Sequence, residues 1–438
     1  MRLVLLLVAC LLPAPVRAEE PPAPAPRMRD CMRVDEETGE TIDPETEEEI
    51  GRYLDCLGQN VKGPWLVTVA ERGDAAEVKK LLAHHADPNW FDRGNQETAL
   101  IAAARNGHVA IVRALLAHGA SVNVDGVNET ALQAAATWGH VEVVDLLLAR
   151  GADVEGRGSP RDIRETPLQA AAGAGRADIV ARLIAHGADV KARCCQGNGY
   201  ALLHFAARGG SAEVARLLIA HGAEIDARAL GGTTPLLEAA RYRHSEVVRV
   251  LLDAGADLHL TRRVWRDEEE SPLQVSVRGL ADGHSTQDPV SMKALLAKGA
   301  QLEAWDAHAG LKQAAADGYV AMIQALLATG LLDAKDAAEA FTQTAAHGHP
   351  EAVAALLDLG FDPNAKDARG RTAVHAAYVD LCCEVEERTR VFKEIVRVLH
   401  AHGAGLDFVT ENDGTTSGVA DRERFRRVLH ELGIPPPE

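Results

Sequence analysis

A block of 25 residues recurs along this chain of 438, and no other feature restricts the possible folds as strongly. The clearest copies occupy residues 98–122, 130–154 and 166–190. The first reads TALIAAARNGHVAIVRALLAHGASV, and the second reads TALQAAATWGHVEVVDLLLARGADV. Copies at such short intervals predict stacked units that share one continuous core, rather than a single closed globular domain.

Each copy predicts two short helices. A threonine such as Thr98 precedes the first helix, where its side-chain oxygen can accept a hydrogen bond from a free backbone amide. Glycines such as Gly107 and Gly119 follow the two helices and supply a left-handed backbone conformation that other residues adopt only with strain. Since helices of this length cannot bury a shared apolar face alone, each copy depends on its neighbours. The predicted core positions of the second helices are Val112, Leu115 and Leu116, then Val144, Leu147 and Leu148, then Val180, Leu183 and Ile184.

The shared pattern TPLHxAAxxGHxEVVxLLLxxGADV resembles the ankyrin repeat. Its register gives about ten repeats over residues 61–433, from a degenerate copy at 64–89 to a C-terminal cap helix at 422–432. The seventh and tenth copies carry insertions at about 280–288 and 381–390. The resemblance implies an all-α fold, an ankyrin-repeat α-solenoid with short β-turn or hairpin fingers between helical pairs. It also implies binding of other proteins on the concave surface that the first helices and fingers form.

The register also locates the turns of the weaker copies. Arg243 stands where the sixth copy should have its first glycine, whereas Gly318 and Gly348 mark that turn in the eighth and ninth copies. His204 and His375 match the histidine of the family motif, which hydrogen-bonds to the backbone at a repeat junction. The resemblance therefore implies a structural role for both histidines.

Residues 1–18 have the pattern of a secretory signal peptide. Arg2 precedes a short apolar run, and Ala18 is the small residue expected before the cleavage site. The apolar run is too short to span a bilayer, and no later stretch predicts a transmembrane helix. We therefore expect a periplasmic or secreted protein. An alternative is a lipoprotein anchored through Cys10, because the preceding Leu-Val-Ala resembles a lipoprotein processing site.

Residues 19–60 predict a proline-rich linker followed by an acidic N-terminal extension that caps the first repeat, and residues 434–438 predict a tail. Cys31 and Cys56 flank the acidic segment and could form a disulfide in an oxidising compartment. The other cysteines of the mature chain are the adjacent pairs Cys194-Cys195 and Cys382-Cys383. Free or locally paired thiols are favoured over a redox switch for these pairs.

The formal net charge of the chain is −18. An acidic surface repels phosphate backbones, so nucleic acids and anionic membranes are poor candidate partners. We expect another protein as the partner and a monomeric array.

The eighteen histidines do not predict a metal site. Four of them share the last turn of the second helix, where a cation complements the helix dipole. Equivalent positions in successive repeats are about 10 Å apart because helices pack at that distance, whereas ligands lie about 2 Å from a zinc ion. These four are His118, His186, His221 and His402. No pattern resembles a catalytic or cofactor site, so we predict no catalytic residue, no metal and no cofactor.

Aromatic residues form only 4% of the chain, and their placement predicts a partner-binding face. Trp138 and Tyr242 occupy one position of the repeat, just before the turn that ends the first helix. Exposed tryptophan, tyrosine and arginine dominate the energetics of protein interfaces. The alternative is that each tryptophan packs on an adjacent turn. The candidates are Trp138 and Tyr242, then Arg105, Arg208 and Arg241 in the neighbouring position, then Trp90, Phe91, Trp265 and Trp305 in the turns between repeats.

These observations predict a non-enzymatic protein–protein interaction scaffold in an exported compartment. The alternatives are a secreted effector or inhibitor that acts on host or competitor proteins, and a thiol-redox factor that uses the paired cysteines. A redox factor needs a thiol of lowered pKa and a resolving thiol nearby, and the sequence shows neither.

Overall fold

The computed structural model describes residues 33–34, 41–42, 59–92, 97–124, 129–156, 165–194, 199–263, 269–278, 287–381, 386–406 and 417–435. The chain divides into two compact units, Met1–Ala131 and Leu132–Glu438. Within the described ranges, no helix combines the length and the apolar character that crossing a membrane requires.

Within its described residues, the first unit contains two helical hairpins and two small β-hairpins. Helix α1 packs on α3, and α2 packs on α4. Strands β1 and β2 pair in antiparallel register, as do β3 and β4. The elements are β1 (Arg33–Val34), β2 (Thr41–Ile42), α1 (Gln59–Arg72), α2 (Ala75–Ala83), β3 (Phe91–Asp92), β4 (Glu97–Thr98), α3 (Ala99–Arg105) and α4 (Val109–Ala117).

The second unit continues the same design, with two-stranded hairpins as fingers before α9 and α13. Its first half holds α5 (Ala131–Trp138), α6 (Val141–Ala149), α7 (Pro167–Gly173), α8 (Ala177–Ala185), β5 (Arg193–Cys194), β6 (Tyr200–Ala201), α9 (Leu202–Gly209), α10 (Ala212–Ala220), α11 (Pro235–Arg241) and α12 (Ser245–Asp253). Its second half holds β7 (Arg262–Arg263), β8 (Glu269–Glu270), α13 (Pro272–Arg278), α14 (Pro289–Ala297), α15 (Ala304–Ala316), α16 (Val320–Leu327), α17 (Ala334–Ala346), α18 (Pro350–Asp358), α19 (Ala373–Leu381), α20 (Glu386–Ala401) and α21 (Ser417–Glu431).

Two rows of helices build the second unit. The odd-numbered helices from α7 to α19 pack side by side, each on the next, and the even-numbered helices from α6 to α20 form the second row. The core lies between the rows. The odd-numbered row is the row of first helices, and its uncovered side carries the candidate site.

The predicted N-cap threonines lie at the start of the first helices. The side-chain oxygens of Thr98, Thr166 and Thr234 each accept a hydrogen bond from the backbone amide three residues later, at 3.4, 3.2 and 3.3 Å. At Thr166 the reciprocal bond from its own amide to Gln169 completes a capping box. Local sequence therefore sets where these helices begin.

In the three clearest copies, the predicted core is correct at two positions of the second helix and wrong at the third. Val112 and Leu115 are fully buried, but Leu116 is only half-buried, and Ile111 replaces it in the core. A second helix contacts both its own hairpin partner and a neighbouring second helix, as α4 contacts α3 and α2, so its buried stripe extends towards Ile111 rather than towards Leu116. The same exchange gives buried Val143 and Ile179 and half-buried Leu148 and Ile184.

The turns after the first helices keep a left-handed backbone even where glycine is missing. Gly318 and Gly348 have φ of 66° and 83°, as the repeat register predicts, and Arg243 has φ of 61°. Arg243 also donates a hydrogen bond to the Tyr319 hydroxyl at 3.1 Å. This bond offsets part of the strain that a side chain introduces at this backbone conformation.

Two helix starts in the structure differ from those that the sequence predicts. Helix α1 begins at Gln59 and contains Pro64, where the degenerate first copy was expected to begin. The cap helix α21 begins at Ser417, five residues before the predicted start at Arg422. Several other predicted features lie outside the described residues, namely the signal peptide at 1–18, the linker, Cys10, Cys31, Cys56, Cys195, Cys382, Cys383, Trp265, most of the first insertion, residues 382–385 of the second and residues 436–438.

Replacing two glycines of the second unit by alanine tests two different effects, backbone strain at Gly151 and helix propensity at Gly173. Gly151 has φ of +81°, and a Cβ placed there would meet nothing within 4 Å. Gly151→Ala should therefore lower the free energy of unfolding by about 1–2 kcal/mol through the backbone alone. Gly173 is the last residue of α7, and a Cβ there would lie 3.7 Å from the Phe205 ring. Gly173→Ala should raise stability by about 0.5–1 kcal/mol. Urea denaturation measures the change in the free energy of unfolding for each variant. Equal changes in the two variants would contradict the different roles given to these glycines.

Candidate protein-binding surface

The candidate residues of the first unit are largely engaged in packing and ion pairs. Trp90 is half-buried against α1, so close that a Cβ added at Gly63 would lie 2.2 Å from its ring. Phe91 lies on β3 and is 36% exposed.

Arg105 is held by carboxylates at the end of α3. Its guanidinium forms ion pairs with Glu97 and, at 2.9 Å, with Glu129. Burial lowers the pKa of Arg105, but the hydrogen bonds and charges of these two glutamates outweigh burial and raise it. The predicted cation is present, and its charge is already compensated within the chain.

In the second unit, two candidate arginines lie against one candidate tyrosine. The guanidinium carbons of Arg208 and Arg241 lie 5.8 and 5.7 Å from the centre of the Tyr242 ring. The ring stacks on His244 at 6.3 Å, and His244 donates to the Arg208 carbonyl at 3.0 Å. We call Arg208, Arg241 and Tyr242 the arginine–tyrosine cluster. Neither arginine forms an ion pair with any residue in the described part of the chain.

A second arginine–aromatic pair includes a residue that the sequence analysis missed. The Arg278 guanidinium lies 4.1 Å from the centre of the Trp305 ring and forms an ion pair with buried Asp306. Arg278 ends the segment SPLQVSVR, which aligns with TALIAAAR, so it occupies the repeat position of Arg105. That alignment could have identified it.

The predicted location of Trp305 in a turn is wrong. Helix α15 is 13 residues long and begins at Ala304, so Trp305 lies in its first turn. The eighth repeat extends its first helix where other repeats form a finger. Trp305 is 66% exposed, and Trp138, at the end of α5, is 56% exposed.

One buried carboxyl group lies beside the arginine–tyrosine cluster. Glu238 on α11 is 1% exposed, and its Oε2 accepts no hydrogen bond from any described residue. Burial raises the pKa of Glu238, while the charges of Arg241, Arg208 and Arg262 and the Tyr200 hydroxyl oppose the shift. The aligned position holds alanine in the clearest copies, so this glutamate is a departure from the repeat.

The histidines at helix ends serve the backbone, as predicted. In His118, His186 and His221 the ring Nδ1 donates to the carbonyl four residues earlier, at 2.9 Å in each case, and His402 does the same at 2.8 Å. His204 is fully buried, accepting from the Ala201 amide and donating to the Thr233 carbonyl at 3.1 and 3.0 Å. Among the described residues, no group of three or more histidines, cysteines or carboxylates could hold a metal ion.

A further set of histidines, at the start of the second helices, was not assigned from the sequence. His108, His244 and His349 donate through Nε2 to carbonyls of the preceding hairpin, namely Glu71 at 3.1 Å, Arg208 at 3.0 Å and Ala316 at 2.7 Å. These bonds join one repeat to the next. The Gly-His pair of the repeat motif is the sequence signal for this role.

The uncovered side of the first helices also contains a groove further along the second unit. Lys312 and Gln343 line it from α15 and α17, and Arg369 lines it from the following turn. Polar side chains that can donate hydrogen bonds therefore continue along this face beyond Trp305.

Comparison with known proteins identifies the repeats. The family model described as ankyrin repeats in three copies matches residues 66–158 and 168–262, and the model described as ankyrin repeats in many copies matches residues 334–378. Together these matches cover more than half of the chain. It belongs to the ankyrin-repeat family.

Among solved structures, the crystal structure of the human ASB11 ankyrin repeat domain is 27% identical to this chain. The match covers 54% of this chain and 99% of that one, with a TM-score of 0.45. A search of curated proteins returned no match. The family and the all-α ankyrin-repeat α-solenoid fold are thus confirmed. Ankyrin repeats are protein-interaction modules, so the chain is a protein–protein interaction scaffold.

The buried Glu238 predicts a specific dependence of stability on pH. Because its pKa in the folded protein is raised above the ordinary value of 4.5, folding favours the protonated form. Its contribution to stability is therefore present below pH 4.5 and is lost as the pH rises through the folded pKa. Glu238→Gln should remove this loss, so the variant gains stability relative to wild type as the pH rises.

Urea midpoints measured across that pH range test this expectation. Glu213→Gln on α10 is the matched control, because this exposed glutamate also changes from carboxylate to amide. A pH-independent difference between Glu238→Gln and wild type would contradict a raised pKa.

Proposed function

We propose that this chain is an exported interaction protein that binds another protein on the uncovered side of the first helices of its second unit. The main support for this proposal is the position of the exposed aromatic residues. Within the described ranges of this unit they are Trp138, Tyr242 and Trp305, and all three lie on or directly after odd-numbered helices. Exposed aromatics beside arginines are typical of the residues that contribute most to binding energy.

The second row of helices has a different surface. Between α6 and α14 it carries charged residues such as Arg216 and Arg249, and most of its large apolar residues face the core, although Val290 on α14 is 40% exposed. Folding uses the apolar residues of both rows, but the aromatic side chains on the first helices remain accessible. This asymmetry supports the first-helix side as the partner-binding face.

The exported location rests on the N-terminal sequence. Residues 1–18 combine a basic start, an apolar run and a small residue before the cleavage site, which is the pattern of a signal peptide. We propose cleavage after Ala18 and release into the periplasm or the medium.

Replacing Trp138 and Arg241 by alanine should weaken capture of the native partner at least roughly tenfold, because such residues each contribute about 1–3 kcal/mol to interfaces. Circular dichroism should be unchanged, since both side chains lie outside the apolar core. The partner is first obtained by affinity purification from the compartment that holds the protein, and its Kd is then measured for each variant.

The matched control for this experiment removes one apolar side chain and one arginine elsewhere. Leu359→Ala with Arg216→Ala changes an exposed leucine at the end of α18 and an exposed arginine on α10. This control should bind like wild type. If both double variants bind equally, the first-helix face is not the interface.

Mass spectrometry of the protein from its native cell tests the exported location. Cleavage after Ala18 predicts an intact mass that corresponds to residues 19–438. A chain that begins with a lipid-modified Cys10 would support the lipoprotein alternative, and a chain that retains Met1 would contradict processing.

A further inference from the structure

We propose that the arginine–tyrosine cluster binds a carboxylate group in an acidic segment of the partner protein, and that Glu238 weakens this binding as an internal competitor. The inference rests on the proposed function and specifies the chemistry of the partner.

The first argument is the contrast between arginines at equivalent positions. Arg105 is paired with Glu97 and Glu129, and Arg278 is paired with Asp306. Two finger arginines are also paired: Arg193 and Arg262 form ion pairs with Glu224 and Glu270 at 2.5 and 2.8 Å. Arg208 and Arg241 have no such partner among the described residues. Two cations without an ion pair therefore lie against one aromatic ring, in a chain with a net charge of −18.

The second argument is the geometry around Tyr242. Its ring is 40% exposed and lies within 6 Å of both guanidinium carbons, at 5.8 and 5.7 Å. An aromatic ring holds a guanidinium by cation–π attraction and limits its motion. A planar guanidinium restrained in this way is prepared for the paired hydrogen bonds that carboxylates accept.

The third argument is the state of Glu238. Its side chain is buried beside both arginines, and one carboxyl oxygen has no hydrogen-bond partner among the described residues. The Nε atom of Arg241 is also buried without a partner. Buried polar atoms at the cluster therefore lack hydrogen-bond partners, and a buried polar network with missing hydrogen bonds lowers the stability of the fold. A carboxylate from outside would supply an acceptor to the arginines, and Glu238 opposes its binding when the Glu238 carboxyl group is itself ionised.

Charge also selects the class of partner. A nucleic acid carries many phosphate charges along its length, so the acidic surface of this chain repels it. A short acidic peptide segment engages the cluster locally, and salt screens charges beyond about 8–10 Å at physiological ionic strength. An acidic protein segment is therefore the occupant that fits.

The test uses the full mature chain and a fluorescein-labelled oligo-glutamate peptide, with binding followed by fluorescence anisotropy at fixed salt. Wild type should bind oligo-glutamate in preference to oligo-glutamine of the same length. Arg208→Gln with Arg241→Gln should lower the affinity at least about tenfold, because losing a close charge pair costs more than 1.4 kcal/mol in measured interfaces. Glu238→Gln should raise the affinity severalfold.

Arg216→Gln with Arg249→Gln, which changes exposed arginines on α10 and α12, is the charge-matched control and should bind like wild type. Thermal midpoints verify that each variant is folded. Equal affinities of the Arg208–Arg241 variant and this control would overturn the proposal, as would weaker binding by Glu238→Gln. Tighter binding of single-stranded DNA than of oligo-glutamate would identify a general polyanion site instead.

A competition experiment separates this inference from the proposed function. Oligo-glutamate should displace the captured partner from wild type. If Trp138→Ala weakens partner capture but oligo-glutamate does not compete, the proposed face stands and the acidic-segment inference fails. If Trp138→Ala and the Arg208–Arg241 variant both leave partner capture unchanged, the proposed function itself fails.

Discussion

The packing of each helical hairpin on its neighbours is the interaction on which the rest of this structure depends. Helices of seven to nine residues, such as α7 and α8, cannot bury an apolar face by themselves. Val180 and Leu183 are nevertheless fully buried, because the adjacent hairpins cover them. At the C-terminal end of the second unit the longer helix α21 supplies Phe425. Its ring lies 6.0 Å from Tyr378 and 6.2 Å from Phe392, so an aromatic cluster completes the core there.

Polar contacts between repeats complete what apolar packing begins. Helix ends leave carbonyl groups without partners inside the helix, and histidines from the next repeat donate to them. His244 and His349 each close one such junction, and buried His204 joins α9 to the backbone ahead of α11. Because each bond joins different repeats, the histidines help to hold the spacing of the stack. Their abundance is therefore a consequence of the architecture.

Once the core and junctions are satisfied, positions on the uncovered side of the first helices are released from folding constraints. The position of Arg105 varies among the copies and holds threonine at Thr137 and glycine at Gly173, and the next position ranges from Ala174 to Trp138. Intramolecular carboxylates compensate some of these cations, as Asp306 does for Arg278. Where compensation is missing, at Arg208 and Arg241, the chain retains local charge that another molecule can use.

The repeat in the sequence determined the family, most helix starts and ends, and most of the core, because each of these depends on residues close together in one copy. The alignment of copies also identified Trp138 and Tyr242 as equivalent. Only the tertiary structure showed the third core position, the helical location of Trp305 and the contact between Arg278 and the Trp305 ring. So did the burial of Glu238 and the charge compensation of Arg105. These features arise between repeats, where helix length, stacking offset and side-chain rotamers decide which groups meet, and a pattern within one repeat does not encode them.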